Sequence, residues 1–467
     1  MADVVDPGLD VPPEILAVDP NLMRTLGYEV VDRTIDHLLG LGDMPAIREG
    51  SPSNLRAALG GPLPTAPHDL AEDLNLLADT ALTHQQHGDH PRYFARVAGP
   101  SSFPGILADW IGTGLQSVAA SWGGGSGPTT VELVALDWLR EALGLAHDCE
   151  GILLSGGSMA NINGLIAARH LRGPGVVYLS DQTHASIPRG LRAMGQPADD
   201  LRFVDTDEGL RLSPSALRQA IMADQAAGRR PAIVVATAGT TNTGAVDDLP
   251  ELAAICADYG MWLHVDGAFG GAAALSPRGK NAMPGLELAD SFVTDPHKWL
   301  FQPYDIACLF VRGSGNLEQT FAMHPEYLAD LAGEQVDLHN RSLELTRRSR
   351  ALKLWLTFRA YGLPTLQQAV DRGIALGEYA QRVIEANPAL ALVTPAQLGI
   401  VTFIGRGYED ADHRRAIAAL NHHGFAAASS TVLHGRTVFR LCIINPRTTT
   451  SDIDRTIDLL AGYLTNS

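Results

Sequence analysis

SFVTDPHKWL, residues 291–300, is the stretch on which the reading of this chain turns. Ser291 to Thr294 is short and apolar enough for a buried strand. It runs directly into Asp295, Pro296, His297 and Lys298, followed at once by Trp299 and Leu300. Lysine is almost never fully buried unless it is paired. A lysine set between an imidazole and an indole, where an apolar strand ends, therefore needs a chemical reason.

That strand belongs to a series. GILLS (151–155), GVVYLS (175–180), LRFVDT (201–206), AIVVATA (232–238), MWLHVD (261–266) and IACLFV (306–311) alternate with helical runs. One helix opens at Ser213-Pro214-Ser215, and another runs from Asp248 to Gly260; both carry the expected start and stop residues. This alternation predicts βαβ units and a largely parallel sheet, an α/β fold. Upstream, helical periodicity begins near Asn21, with Leu22, Leu26, Val30, Val31, Ile35 and Leu38. A loop is expected from Gly50 to Pro67, then a helix from Leu70 to Thr83. WGGGSGPTT, from Trp122, reads as a flexible loop before a helix from Val131 to Leu143. The expected division is a helical N-terminal segment (1–88), a large domain (89–342) and a small C-terminal domain (343–467).

The 467 residues exceed the ~250–300 at which single cores stop growing, so more than one domain is expected. Lys plus Arg number 35 and Asp plus Glu 52, a formal charge of 35 − 52 = −17. Such a surface repels phosphate backbones and anionic lipid, which argues against nucleic acid and membrane partners. The four cysteines, Cys149, Cys256, Cys308 and Cys442, form no CxxC pair. That argues against a disulfide framework or a structural metal and fits a reducing cytoplasm. The opening MADVVDPGLDVPP has no basic region and no apolar run, so no signal peptide is expected.

Parallel sheets bind ligands beyond the carboxyl ends of their strands. There the sequence places SGGSMAN, with Gly156 and Gly157 before a helix opened by Ser158 and Asn161; DQTHAS, with His184; GTTNTG, with Thr240 and Thr241; Asp266; and Lys298. Each has a plain alternative, such as a glycine turn capping an ordinary helix. In order, at consecutive strand ends, they describe a pyridoxal phosphate pocket. A lysine amine condenses with the cofactor aldehyde. A carboxylate keeps the pyridine nitrogen protonated, so that the ring accepts a carbanion's electrons. A helix N-terminus holds the phosphate. Desolvation at Lys298 is expected to favour the neutral amine.

These residues resemble the group II pyridoxal-phosphate-dependent amino-acid decarboxylases, the family of aromatic-amino-acid, histidine and glutamate decarboxylases. HPRYFARVAGPSSFPGILADW, SGGSMAN, SDQTHAS, ATAGTTNTGAVDDL, HVDGAFGG and DPHKWL stand in family order. The resemblance implies the aspartate-aminotransferase fold (fold type I) and a homodimer with its site at the interface. It implies catalytic roles for Lys298, Asp266 and His184. The cofactor would be held by Lys298, Asp266, Ala268, His184, Gly157, Ser158, Asn161, Thr241 and His297. Arg440, in VFRLCIINPR, matches a family arginine, and Arg447 is a second candidate that reads equally as a surface residue. Arg440 and Thr241 would lie near the substrate.

Two departures matter. Where aromatic-amino-acid decarboxylases supply rings to the substrate pocket, this chain has Arg96, Val97 and Ala98, and Ala120 precedes Ser121-Trp122. A polar, non-aromatic substrate is therefore expected, with Arg96 meeting an acidic or hydroxyl group; a salt bridge to a nearby carboxylate is the alternative. The family's loop tyrosine, which protonates the carbanion carbon after CO2 leaves, aligns with Leu338; Tyr327 belongs to an upstream match. His339 is adjacent and reads as a solvated loop residue or a substitute acid. Loss of the tyrosine in the family's aldehyde synthases lets oxygen intercept the carbanion. The expected activity is α-decarboxylation, with oxidative deamination to an aldehyde or β-elimination from a cysteine-like substrate as alternatives. A catalytically silent scaffold conflicts with the intact Lys298, Asp266 and His184.

Overall fold

The computed structural model describes residues 16–97, 99–323 and 335–465. The chain falls into two compact units, Met1–Gln86 and His87–Ser467. The first holds helices α1 (Pro20–Gly40), α2 (Pro52–Leu59) and α3 (Leu70–Leu76). α1 starts where its periodicity predicts, with the Asp19 carboxylate accepting from the N–H groups of Asn21 and Leu22. The expected loop from residue 50 contains α2, signalled by Ser51-Pro52, a cap followed by a proline in the first turn.

The second unit opens with α4 (Phe103–Gly114) and α5 (Trp122–Leu143). It continues β1 (Glu150–Leu154), α6 (Gly157–Arg172), β2 (Val176–Ser180), α7 (Ser186–Ala193), β3 (Leu201–Val204), α8 (Pro214–Ala226), β4 (Pro231–Thr237), α9 (Leu249–Tyr259) and β5 (Trp262–Asp266). Then come α10 (Pro277–Ala282), β6 (Ser291–Thr294), the short α11 (Pro296–Trp299), β7 (Ala307–Val311) and α12 (Asn316–Phe321). The seven strands form one sheet in the order β1-β7-β6-β5-β4-β2-β3. All neighbouring pairs are parallel except those made by β7, which runs against both β1 and β6. β2, β4, β5, β6 and β7 are buried along their whole length, as continuous apolar runs require when helices cover both faces.

The chain ends with α13 (Ala351–Ala386), β8 (Leu390–Gln397), β9 (Ile400–Gly405), α14 (Asp410–His423), β10 (Ser429–Leu433), β11 (Arg436–Cys442) and α15 (Thr450–Thr465). Its four strands form an antiparallel sheet, β10-β11-β9-β8. A division of the second unit into large and small domains near residue 342 remains a proposal resting on these two sheets. No helix among the described residues is long and apolar enough to cross a membrane.

The glycine-rich stretch after Trp122 departs from expectation. It is the first part of α5, kinked at Gly125, not a flexible loop. Partners outside the helix hold its opening turn: Ser121 Oγ accepts from Gly124 N–H, and the Asp337 carboxylate accepts from Trp122 N–H at 2.7 Å. Caps of this kind offset the poor helix propensity of glycine.

A buried ion pair joins α5 to β1 and to the chain before α13. Arg347 and Glu132 side chains are both 0% exposed. The guanidinium also donates to the carbonyls of Ala119 and Leu153, each at 2.6 Å, while Glu132 accepts from Leu153 N–H. Arg347→Met strands the Glu132 charge, and breaking a buried pair from one side costs about 3–5 kcal/mol. Urea unfolding should show that loss; a change below about 1 kcal/mol would mean the pair carries little of the junction.

Candidate active site

The carboxyl ends of β1, β2, β4, β5 and β6 surround a cavity of about 300 Å³. β1 contributes Ser155 to Met159 and Asn161 through α6, and β2 contributes His184 and Ser186. β4 contributes Thr237, Gly239 and Thr241; β5 contributes Asp266, Ala268 and Phe269; β6 contributes Asp295, His297 and Lys298. The nine residues expected to hold the cofactor all line this cavity.

Local structure explains their placement. Pro296 opens α11, a single turn that follows β6 at once. Trp299 is fully buried and stacks on Phe269, with ring centroids 5.3 Å apart. That contact pins the turn and leaves the preceding lysine facing the cavity. Lys298 Nζ lies 2.8 Å from Asp295 Oδ2, and the Asp295 side chain is 2% exposed. Burial alone would lower the Lys298 amine, but the carboxylates of Asp295 and Asp266 reverse that and shift it upward. The amine is therefore held as an ammonium, contrary to the expectation from desolvation.

Asp266 is buried, and burial raises its carboxyl above the usual range. Ala268 N–H donates to its Oδ1 at 3.0 Å and, with Lys298 and His184, pulls the other way. His297 is also kept below its ordinary value by burial. Its Nδ1 accepts from Ile306 N–H at 3.2 Å, which leaves Nε2 to face Asp295 at 3.5 Å. His184 is exposed on the cavity rim, and its Nδ1 lies 2.8 Å from Ser186 Oγ. The first turn of α6 has no side-chain cap, so its N–H groups are available to an anion. A Cβ on Gly157 would lie 2.8 Å from Asp295 Oδ2 and 3.0 Å from the Ala268 methyl, so only glycine lets α6 come this close.

Buried polar atoms test whether these residues fit pyridoxal phosphate. Asn161 Nδ2, Thr237 Oγ1 and Asp295 Oδ1 have no hydrogen-bond partner among the described residues, and all three residues line the cavity. Asn161 Nδ2 and Thr237 Oγ1 can donate to an anionic group, and Asp295 Oδ1 can accept from a donor on the same polar guest.

The expected substrate residues are less gathered. Thr241 lines the cavity; Arg96, Val97, Ala120 and Arg440 do not. Arg96 is exposed and makes no ion pair with a described residue, so the salt-bridge alternative finds no support among the described residues. Val97 packs on the main core, and Ala98 lies outside the described residues. Arg440 is buried: Nε donates to the Thr241 carbonyl at 2.8 Å and Nη1 to the Ala95 carbonyl at 2.9 Å, while Nη2 has no hydrogen-bond partner among the described residues. It ties the turn after β4 to the segment carrying Arg96. Arg447 is exposed and donates to the Asp89 carbonyl.

Leu338 also differs from expectation. It is fully buried among Ala119, Ile152 and Leu154, and does not line the cavity. His339 is buried, not solvated, and both its N–H and its Nδ1 meet the Ala120 carbonyl, at 2.8 and 3.1 Å. Tyr327 lies outside the described residues. The Asp295 pairing is one that sequence reasoning misses; its signal is an acidic residue three before a strand-end lysine.

Asp295→Asn removes the charge that raises the Lys298 amine. In the cofactor-free chain, the pH midpoint for labelling Lys298 with an amine-reactive reagent, followed by peptide mass spectrometry, should move to lower pH. An unmoved midpoint contradicts the assigned pairing.

The family model described as the pyridoxal-dependent decarboxylase conserved domain matches residues 52–406. An aromatic-L-amino-acid decarboxylase of Bacillus atrophaeus is 41% identical, covering 94% of this chain and 95% of its own. A phenylacetaldehyde synthase of Arabidopsis thaliana is 31% identical over 92% of this chain and 93% of its own. The crystal structure of Oryza sativa TDC with PLP and tryptamine superposes with a TM-score of 0.91 at 28% identity, covering 96% and 99% of the two chains. With a family match over most of its length and this fold, the chain belongs to the pyridoxal-dependent decarboxylases, fold-type-I carboxy-lyases whose cofactor is pyridoxal 5′-phosphate.

Proposed function

We propose that the chain removes the α-carboxylate of a non-aromatic L-amino acid with a polar side chain, working as a homodimer with the site at the subunit interface. The observation that carries the reaction type is the convergence of Lys298, Asp266 and His184 on one cavity. Lys298 would hold the cofactor covalently. Gly157, Ser158 and Asn161, in the first turns of α6, would hold its phosphate. Ala268 and His184 would flank its ring, with Thr241 and His297 beside it, and Asp266 would keep a proton on the ring nitrogen. When bound, pyridoxal phosphate supplies an electron sink for the charge left as CO2 departs. When its amine is free, Lys298 rests 2.8 Å from Asp295, which holds the proton at Nζ.

What favours a polar substrate is Arg96, an exposed cation without an ion-pair partner among the described residues, which lies outside the cavity of its own chain and would meet substrate across the proposed interface. Its segment is fixed at Ala95, whose carbonyl accepts from both Arg440 and Ser429. Val97 and Ala120 offer no ring for an aromatic side chain. The dimer is supported by Phe103, Leu107 and Ile111, exposed at four-residue spacing along α4. An apolar stripe of this kind marks an interaction surface.

A second reading has its own support. The Bacillus relative is named for aromatic amino acids and the Arabidopsis relative for aldehyde synthesis. Leu338, buried and without a proton to donate, stands where the family acid aligns. The products would then be aldehyde, ammonia, CO2 and peroxide, with oxygen consumed.

A panel of polar and aromatic L-amino acids, scored for CO2, amine, aldehyde and oxygen uptake, separates the two. The proposal predicts amine and CO2 in equal amounts from a polar substrate, at the same rate without oxygen. Arg96→Ala should raise KM for that substrate about tenfold with kcat little changed, as loss of uniform binding does. Turnover confined to aromatic substrates, with oxygen uptake, would favour the second reading.

A further inference from the structure

We infer that Trp262, Ser291 and His264 form a buried one-directional hydrogen-bond relay that turns the Asn161 amide so that its NH2 group, not its carbonyl, faces the cofactor phosphate; this rests on the reading of the cavity as the pyridoxal phosphate site.

The four side chains are packed where α6 crosses β5 and β6, and none is more than 3% exposed. Trp262 Nε1 donates to Ser291 Oγ at 2.8 Å. Ser291 Oγ lies 2.7 Å from His264 Nδ1, and His264 Nε2 lies 2.9 Å from Asn161 Oδ1. An indole N–H can only donate, so Ser291 Oγ accepts from Trp262, and at the other end Asn161 presents Oδ1, an acceptor, to His264 Nε2. His264 Nε2 must therefore carry a proton. Burial pushes the His264 pKa down to about 3, so the ring is neutral and holds a single N–H. Nδ1 is then an acceptor, met by the Ser291 hydroxyl, whose oxygen is already accepting from the indole. Every donor meets an acceptor in the order Trp262, Ser291, His264, Asn161.

One group is left over. Asn161 Nδ2 is buried without a hydrogen-bond partner among the described residues, and Asn161 lines the cavity near the uncapped start of α6. An unmet buried donor is costly, and an anion in the cavity would satisfy it. In the reversed relay, Nδ1–H would point at Ser291, the amide would turn over, and a carbonyl oxygen would face the phosphate. The ring packs closely on α6: a Cβ on Gly164, one turn further along, would lie 2.7 Å from His264 Cε1. Asn161 would touch the phosphate; the other three are positioning residues.

The test titrates the full-length, cofactor-freed chain with pyridoxal phosphate and with pyridoxal, which lacks the phosphate. The ratio of the two affinities isolates the phosphate contact. Asn161→Ala should weaken pyridoxal phosphate about ten- to hundredfold and leave pyridoxal within about twofold. Ser291→Ala should weaken pyridoxal phosphate about three- to tenfold, again through the ratio, and Ser291→Thr, which keeps the hydroxyl, should restore it. Added to Asn161→Ala, Ser291→Ala should have no further effect, because both act through one contact. Gly164→Ala should reproduce the Ser291→Ala result by displacing the ring. Equal loss of both ligands in Ser291→Ala, or additivity with Asn161→Ala, overturns the relay. So does an unchanged ratio in Asn161→Ala when the wild-type chain prefers pyridoxal phosphate. A wild-type chain that binds pyridoxal phosphate no better than pyridoxal removes the underlying phosphate reading instead.

Discussion

The 2.8 Å pairing of Lys298 with Asp295 is the constraint around which the site is built. Both side chains lie beyond the end of β6, and charge buried there without a partner would be costly. The short turn of α11 sets the two residues three apart on one face. Trp299 on Phe269 keeps that turn in place. Asp266 adds a second carboxylate from the neighbouring strand, and its buried position depends on the Ala268 N–H and the same ammonium. Gly157 completes the arrangement, because any side chain there would collide with Asp295 and Ala268. The cavity is thus bordered by three ionisable groups, Lys298, Asp295 and Asp266, balanced against one another.

The sheet explains how so few residues converge. Five strand ends open on the same side because β7 runs against β1 and β6 and so restores β1 to the common direction. The four-stranded sheet reaches the site through Arg440 on β11, which holds the Thr241 turn and the Ala95 carbonyl together. Movement at that sheet would therefore be felt at Thr241 and at the backbone beside Arg96.

Much of this was legible from residue order. Five of the seven strands are buried along their whole length, and burial on both faces writes a continuous apolar run strongly. The nine residues proposed to hold the cofactor could be singled out because each stands close to a strand end, where sequence neighbours are also neighbours in space, and all nine line one cavity. What was missed depends on contacts between distant segments. The helix from Trp122 needs Asp337, 215 residues away, to hold its glycine-rich opening. Leu338 looked like a loop residue until packing placed it against β1. Asp295 gained meaning only once its turn had folded, and the upward shift of Lys298 reflects two carboxylates that a desolvation argument alone does not count.

The central claim is that Lys298 is the covalent anchor of the cofactor, and borohydride reduction of the purified, cofactor-loaded chain tests it most directly. Reduction fixes the cofactor to its lysine as a stable secondary amine, and peptide mass spectrometry then locates it. The account predicts a single modified peptide carrying the reduced pyridoxyl phosphate at Lys298 within DPHKWL. A cofactor fixed on Lys280, Lys353 or any other amine, with Lys298 unmodified, would contradict it.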